Sequence, residues 1–158
     1  TTLDPIRTLC PDVVGSVVHI PFADNTFDVV SCCQVLEHLP YSKFAPALIE
    51  IARVSKTYAL LSLPDQSTVY RIDLELPRLP PIRKLWYHPL PRSKAHHYDG
   101  EHHWEIGKRG YALEKIEIDI QTIPFLIIKS FRVFELPYHH FFLLGKQRSG
   151  QGVCSGQG

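Results

Sequence analysis

With 158 residues, 44% of them hydrophobic and 21% charged, the chain has the size and composition of one globular domain that buries about two-thirds of its unfolded surface. A formal net charge of +1 gives no global field to draw it to nucleic acid or anionic lipid. No apolar run reaches the ~20 residues of a membrane-spanning helix and no signal peptide precedes the first strand, so the expected compartment is the cytoplasm.

Four cysteines, Cys10, Cys32, Cys33 and Cys154, lack C-x-x-C spacing, which argues against a disulfide scaffold. The chain opens on Thr1-Thr2-Leu3-Asp4 without a Met, as if already inside an element, and reads as a cut end. Thr1 to Asp4 has the look of a strand tail closed by Pro5, and Val13 to Val18 that of a second short strand with a close backbone approach at Gly15. A turn on Ala23-Asp24-Asn25 then leads into Phe27 to Cys33. That run is apolar on both faces and rich in β-branched residues, as suits a strand covered on both sides in a parallel sheet. Gln34 is the polar residue at which the chain leaves the core.

Ser42 is placed to cap a helix reaching about Val54, with Phe44, Leu48, Ile51 and Ala52 on one face and Pro46 in the first turn. Tyr58 to Leu63 follows as a strand closed by Pro64-Asp65. Strand, helix and strand in this order make a parallel crossover. From Gln66 to about Lys94, Pro77, Pro80, Pro81, Pro89 and Pro91 predict no long regular element. Arg78, Arg83, Lys84, Arg92 and Lys94 alternate there with Trp86 and Tyr87, which reads as an ordered lid. His96, His97, His102 and His103 cluster immediately after it.

Between Tyr111 and Thr122 the pattern fits a helix through Leu113, Ile116 and Ile120 and a strand through Ile116, Ile118 and Ile120. Strong formers at Ala112 to Lys115 favour the helix. Phe125 to Phe134 and His139 to Gly145 form an expected antiparallel hairpin, and the tail 149–158 is low-complexity. The organisation expected is one domain over 1–148, with 66–104 as lid or insertion, followed by a flexible tail over 149–158.

Ile20-Pro21-Phe22, Asp24, Thr26-Phe27-Asp28-Val29-Val30 and Val35-Leu36-Glu37-His38-Leu39 together resemble a signature segment of the class I S-adenosylmethionine-dependent methyltransferases of the small-molecule type. The likeness continues through Leu48 to Val54 and Ser62-Leu63-Pro64, and takes in the closing hairpin. It implies an α/β fold: a Rossmann-like, mostly parallel sheet with a C-terminal antiparallel hairpin, N-terminally truncated because the family's first strand and glycine-rich loop have no counterpart. That strand would lie in mid-sheet beside the ligand crevice. Its loss predicts two exposed strand edges, which pair with each other, accept another copy of the chain to give a homo-oligomer, or receive a segment outside this sequence.

By position, the resemblance implies that Asp4 binds the cofactor's ribose hydroxyls, that Ser16 and Val17 lie beside the adenine, and that Cys33 and Gln34 form the turn facing the cofactor. The expected cofactor is S-adenosylmethionine and the expected partner a small-molecule acceptor. No catalytic residue can be chosen; His38, Glu37 or a lid histidine would serve if the acceptor must lose a proton. Gln34-Val35-Leu36-Glu37-His38 is similar to the Glu-x-x-Glu-His that holds a divalent cation in ubiquinone-pathway O-methyltransferases, but an amide replaces the first carboxylate. The histidine cluster lacks a familiar zinc spacing, so no metal site is assigned. Methyl transfer to a small molecule is therefore the expected function. The alternatives are a non-catalytic methyltransferase-like interaction module and, further off, a metal-dependent hydrolase built on the histidine cluster.

Overall fold

The computed structural model describes residues 1–87, 95–98 and 100–147. Pro89, Pro91, Arg92, Lys94, Cys154 and the tail 149–158 lie outside the described residues.

Eight strands and two helices follow one another as β1 (Leu3–Asp4), β2 (Val13–Val14), β3 (Phe27–Cys33), α1 (Phe44–Val54), β4 (Ser55–Pro64), β5 (Val69–Leu74), β6 (Ile82–Tyr87), α2 (Leu113–Gln121), β7 (Phe125–Arg132) and β8 (His139–Lys146). The main sheet has the order β3-β4-β8-β7. β3 and β4 are parallel, with Val30 opposite Ala59 and Cys33 opposite Ser62, and α1 makes the crossover between them. β8 pairs antiparallel with both β4 and β7, so the closing hairpin adds to the sheet as the alternating apolar pattern requires.

α1 buries Phe44, Ala47, Leu48, Ile51, Ala52 and Val54, a three-and-four spacing that keeps one stripe on the sheet. Opposite it, Ala59, Leu61 and Leu63 of β4 are fully buried. Each fully buried Leu or Ile of this interface contributes about 1.5–3 kcal/mol relative to an exposed one. α2 adds Ile116 and Ile120, confirming the helix reading of 111–122 with trimmed ends. Trp104, Phe125, Phe142 and Leu144 complete the core.

Four expectations need correction. β3 is not covered on both sides: it is an edge of its sheet, and Val29 is 56% exposed. β1 and β2 are shorter than expected and form a separate two-stranded parallel sheet, with Leu3 opposite Val13, so the two open edges do not pair with each other among the described residues. Their small sheet is still tied to the core by Leu3, Val17, Val18 and Phe22. At Gly15 a Cβ would meet Leu3 Cδ1 at 3.1 Å, the close approach expected there. Ser42 does not cap α1: residues Tyr41–Lys43 form a 3-10 turn that runs into the helix, whose N-cap is Lys43 without a side-chain bond.

The fourth correction concerns the arm. β5 and β6 form an antiparallel ribbon, Leu74 opposite Ile82, despite the prolines, because Pro77, Pro80 and Pro81 all fall in its connecting loop. Arg83 is paired across it with Asp73 at 3.4 Å and Glu75 at 4.0 Å, so the basic run is partly neutralised from the preceding strand. Among the described residues no helix is long and apolar enough to cross a membrane.

Candidate functional site

The carboxyl ends of β3 and β4 carry the polar residues of most chemical interest. Gln34 follows β3 in the left-handed region at φ 55°, and this reversal takes the chain out of the sheet. Its backbone N–H donates to Ser62 O at 3.1 Å and its Nε2 to Ser62 Oγ at 3.1 Å, so both ends of the residue are fastened to β4. Cys33, the last residue of β3, is exposed, whereas Cys32 points into the core.

A 3-10 turn over Leu36–His38 comes next, with Leu36 and Glu37 buried and His38 exposed. Onto it docks the histidine-rich segment that follows the arm. His103 N–H donates to Glu37 O at 2.7 Å, the Trp104 indole Nε1 donates to Leu39 O at 3.1 Å, and Ile106 N–H donates to Pro64 O at 3.0 Å. Residues 101–106 therefore lie across the exits of β3 and β4. The lid expected at 66–104 meets this region through its final residues.

The docking brings His102 up to two neighbouring residues of the turn, Glu37 and His38, that lie far from it in sequence. Glu37, His38 and His102 each place one ligand-type atom within 4.8 Å of the others. The His38 and His102 rings meet edge to face at 5.0 Å. His38 Nδ1 lies 3.0 Å from Glu101 O, and His102 Nδ1 lies 2.8 Å from Glu105 Oε1. Neither carboxylate oxygen of Glu37 has a hydrogen-bond partner, although both are shut off from solvent. Burial pushes the Glu37 carboxyl above its ordinary value, with His38 and His102 opposing. Glu105 is also buried. Its burial is outweighed by hydrogen bonds from His102 and Tyr138 and by the charge of Lys108, so its carboxyl lies below the ordinary range.

At the exit of β4, Asp65 forms a second network. Its carboxylate pairs with Arg132 and with His140 Nδ1 at 3.1 Å, and His140 Nε2 lies 2.7 Å from Ser130 Oγ, which donates to Glu117. Burial pulls the Asp65 carboxyl upward, but His140, Ser67 and Arg132 together hold it below its ordinary value. Sequence alone marked Asp65 only as the closing residue of a strand; its charged and imidazole partners, Arg132 and His140, are 67 and 75 residues downstream and carry no local signal.

Of the residues expected at a cofactor, Asp4 ends β1, and its Oδ1 accepts from Ile6 N–H at 2.7 Å. Oδ2 has no hydrogen-bond partner among the described residues, which leaves it open to a hydroxyl donor. Ser16 Oγ accepts weakly from Val18 N–H at 3.4 Å, and Val17 packs half-buried on the core. Cys33 and Gln34 stand together at the end of β3.

A family model described as a methyltransferase domain matches residues 4–63, from the end of β1 to the end of β4. An uncharacterized protein of Methanocaldococcus jannaschii is 50% identical over 44 residues, which take in 28% of this chain and 18% of that protein. An uncharacterized methyltransferase of Schizosaccharomyces pombe is 47% identical over 47 residues, 30% of this chain and 16% of that one. The match thus spans less than a fifth of either relative. In fold, the chain is similar to the 1,6-didemethyltoxoflavin N1-methyltransferase of Burkholderia thailandensis, with a TM-score of 0.53 at 11% identity, covering 92% of this chain and 60% of that one.

Proposed function

We propose that the chain is a class I S-adenosylmethionine-dependent methyltransferase domain that serves methyl transfer from S-adenosylmethionine to a small-molecule acceptor, a reading supported by the methyltransferase-domain model that matches residues 4–63. The observation that carries this reading is the position of the matched segment. Residues 4–63 begin at the Asp4 carboxylate and include the whole parallel β3–α1–β4 crossover, with the left-handed exit at Gln34 in its middle. Ligands of open α/β sheets lie beyond the carboxyl ends of such strands.

The donor set suits the nucleoside end of the cofactor. A strand-end carboxylate with one anchored and one open oxygen is a rigid acceptor for a ribose diol. Gln34 cannot drift, because two hydrogen bonds fasten it to Ser62, so the peptide after Cys33 offers a fixed wall. Ser16 supplies a weaker acceptor than a carboxylate for an exocyclic amine.

The cofactor supplies an electrophilic methyl on a sulfonium, and the protein's contribution is alignment, which for well-oriented reactants reaches effective molarities of about 10⁵ M or more. Residues 101–106, held over the strand exits by Glu37, Leu39 and Pro64, are placed to cover the acceptor and exclude water.

Calorimetric titration of the full-length protein with S-adenosylhomocysteine tests the reading. Micromolar binding that weakens at least tenfold in Asp4→Ala is expected. Binding indifferent to Asp4 would overturn the assignment of the ribose site. No binding at millimolar ligand would leave the non-catalytic interaction module as the better account.

A further inference from the structure

We propose that the β5–β6 ribbon is an interfacial anchor that docks the chain onto a lipid bilayer carrying anionic headgroups. The proposal goes beyond methyl transfer and does not depend on cofactor binding.

The register of the ribbon divides its side chains between two faces, because residues directly opposite each other in an antiparallel pair share a face. Val69, Arg71, Asp73, Arg83, Leu85 and Tyr87 make the inner face, which rests on the body of the domain. There the Arg71 and Arg83 guanidinium groups lie over the Phe134 ring at 5.6 and 5.8 Å, and the Arg132 guanidinium lies over the Tyr87 ring at 5.6 Å. Tyr70, Ile72, Leu74, Ile82, Lys84 and Trp86 make the outer face, and all six are exposed. The connecting loop adds Leu76 and Leu79, 51% and 61% exposed. Five aliphatic side chains of one short ribbon thus face water, and a contiguous apolar surface of this kind marks a contact site.

Charge selects the occupant. Asp73 and Glu75, the acids of the ribbon, both pair with Arg83, at 3.4 and 4.0 Å. Arg71, Arg78 and Lys84 have no ion pair among the described residues, so the ribbon presents three cations and no uncompensated acid. The net charge of +1 supplies no long-range field, and the attraction to an anionic surface is local to this arm. A second copy is a poor fit. Lys84 stands in the middle pair of the outer face, opposite Ile72, so a two-fold axis through that face would set it against its own twin. A protein partner would need a groove to receive the convex tip, whereas a lipid interface yields to it.

The order of residues along the ribbon points the same way. Leu76 and Leu79 occupy the tip, and the Leu74–Ile82 pair stands directly behind them. On the same face Lys84 follows about 7 Å further back and the Tyr70–Trp86 pair about 14 Å back, at about 3.4 Å per residue. Aliphatic groups first, then a cation, then Tyr and Trp is the sequence of chemistries met on leaving the acyl region through the headgroups, and interfacial elements sink about 5–10 Å. The root of the ribbon is fastened at the exit of β4, where Asp65 N–H donates to Tyr138 O at 2.7 Å and Arg132 Nη1 donates to Ser67 O at 3.2 Å. A docked ribbon therefore holds that end of the main sheet beside the lipid.

The experiment is co-sedimentation of tag-free full-length protein with vesicles of phosphatidylcholine alone and of phosphatidylcholine mixed with phosphatidylglycerol. Binding to the mixed vesicles is expected at submillimolar lipid, weakened at least tenfold by omitting the anionic lipid. Leu76→Ser combined with Leu79→Ser, and separately Lys84→Glu, should each weaken it at least tenfold. Of the two tryptophans, Trp104 is fully buried, so a blue shift of emission on adding mixed vesicles reports Trp86 and should vanish in Trp86→Phe. No binding at millimolar lipid, equal binding to both vesicle types, or binding unchanged in the leucine variant would overturn the proposal. So would a solution dimer that the leucine variant dissociates, which gives the face to a second copy, or binding of polyglutamate as tight as that of mixed vesicles. If a variant fails to fold, brominated lipid in mixed vesicles decides with the unaltered protein: quenched tryptophan emission supports insertion, and unquenched emission refutes it.

Discussion

Glu50 and Arg53 hold both backbone polar groups of Ile20 between them: Glu50 Oε2 accepts from Ile20 N–H at 2.8 Å, and Arg53 Nη2 donates to Ile20 O at 2.8 Å. Arg53 Nη1 also donates to Phe22 O and to Asp24 Oδ1, and its own carbonyl accepts from Asn25 N–H. The last turns of α1 thereby fasten the entire approach to β3. Without these bonds the Ile20 N–H and the Phe22 carbonyl would have to find their partners in solvent.

Arg53→Lys should lower the melting temperature despite keeping the charge, because an ammonium cannot replace a planar fork that serves two carbonyls and two carboxylates. Glu50→Gln should cost about 1 kcal/mol, a value reduced by partial solvent exposure. Arg53 and the Ile20 N–H hold the Glu50 carboxyl down to about 2, against the opposing pull of burial. A carboxylate depressed on folding stabilises above its unfolded value near 4.5 and loses that contribution as pH falls toward 2. Thermal melts of the unaltered protein and Glu50→Gln should therefore converge over that interval; a constant gap down to pH 2 would contradict the clasp.

Asp65 and Arg132 set a larger stake. Both are nearly solvent-free, at 3% and 8% exposure, and His140 completes the group. Removing one member strands the others, so Asp65→Asn should destabilise by about 3–5 kcal/mol. Asp65 is ionised with a lowered pKa, so its support is complete above 3.8 and disappears as pH falls below that value. Chemical denaturation of Asp65→Asn at neutral pH measures the loss; a change under 1 kcal/mol would show that the buried group relaxes into water.

Much of this arrangement was legible in the residues. Phe27 to Cys33 forms a strand, as its shortness, its turn residues upstream and the β-branched Val29-Val30 pair favour, and Phe44 to Val54 forms a helix because its apolar positions recur at three and four. The closing hairpin followed from two apolar runs around Glu135-Leu136-Pro137-Tyr138. The edge position of β3 was not legible, because periodicity reports which faces are apolar and says nothing of how many neighbours a strand has. Counting prolines misjudged 66–87, where their placement in the connection matters more than their number. The meeting of Glu37 with His102 was out of reach for another reason: it depends on a chain return 65 residues later, guided by Trp104 rather than by either residue of the pair.

Gly107 should resist substitution. Its φ is +86°, and a Cβ would stand 2.6 Å from both the backbone nitrogen and Oγ of Ser67. Gly107→Ala therefore combines backbone strain with a clash against main chain, and should cost about 2 kcal/mol or more. Gly110, also at positive φ but with open space around its Cβ position, is the control: Gly110→Ala should pay the backbone term alone. Equal losses in the two variants would show that the contact with Ser67 yields freely.

Trp104 is the anchor of the segment that crosses the strand exits. It is fully buried, stands edge-on to Tyr41 and Phe44, and donates to Leu39 O. Trp104→Phe should cost about 1 kcal/mol beyond its packing change for the unpaired carbonyl, and Trp104→Ala about 3–5 kcal/mol. The informative readout is local: in Trp104→Phe, amide exchange at His103 and Ile106 should quicken more than in the β4–β8 ladder. Uniform quickening would mean that the segment opens only with the whole domain.

Cys32 and Cys33 offer a footprint of the proposed cofactor face. Burial first, then the neighbouring Cys33 and Glu37, pushes the Cys32 thiol up to about 12, so it presents almost no thiolate at neutral pH and no access to reagent. Cys33 is exposed at the end of β3. Iodoacetamide mapped by mass spectrometry should modify Cys33 in the native protein and Cys32 only after denaturation. If the cofactor lies against the peptide after Cys33, saturating S-adenosylhomocysteine should slow labelling of Cys33 severalfold while leaving exposed Cys10, on the far side of the β1 connection in sequence, as an internal reference. Equal slowing at both thiols would signal a general tightening of the fold, and no slowing at Cys33 would move the ligand away from the exit of β3.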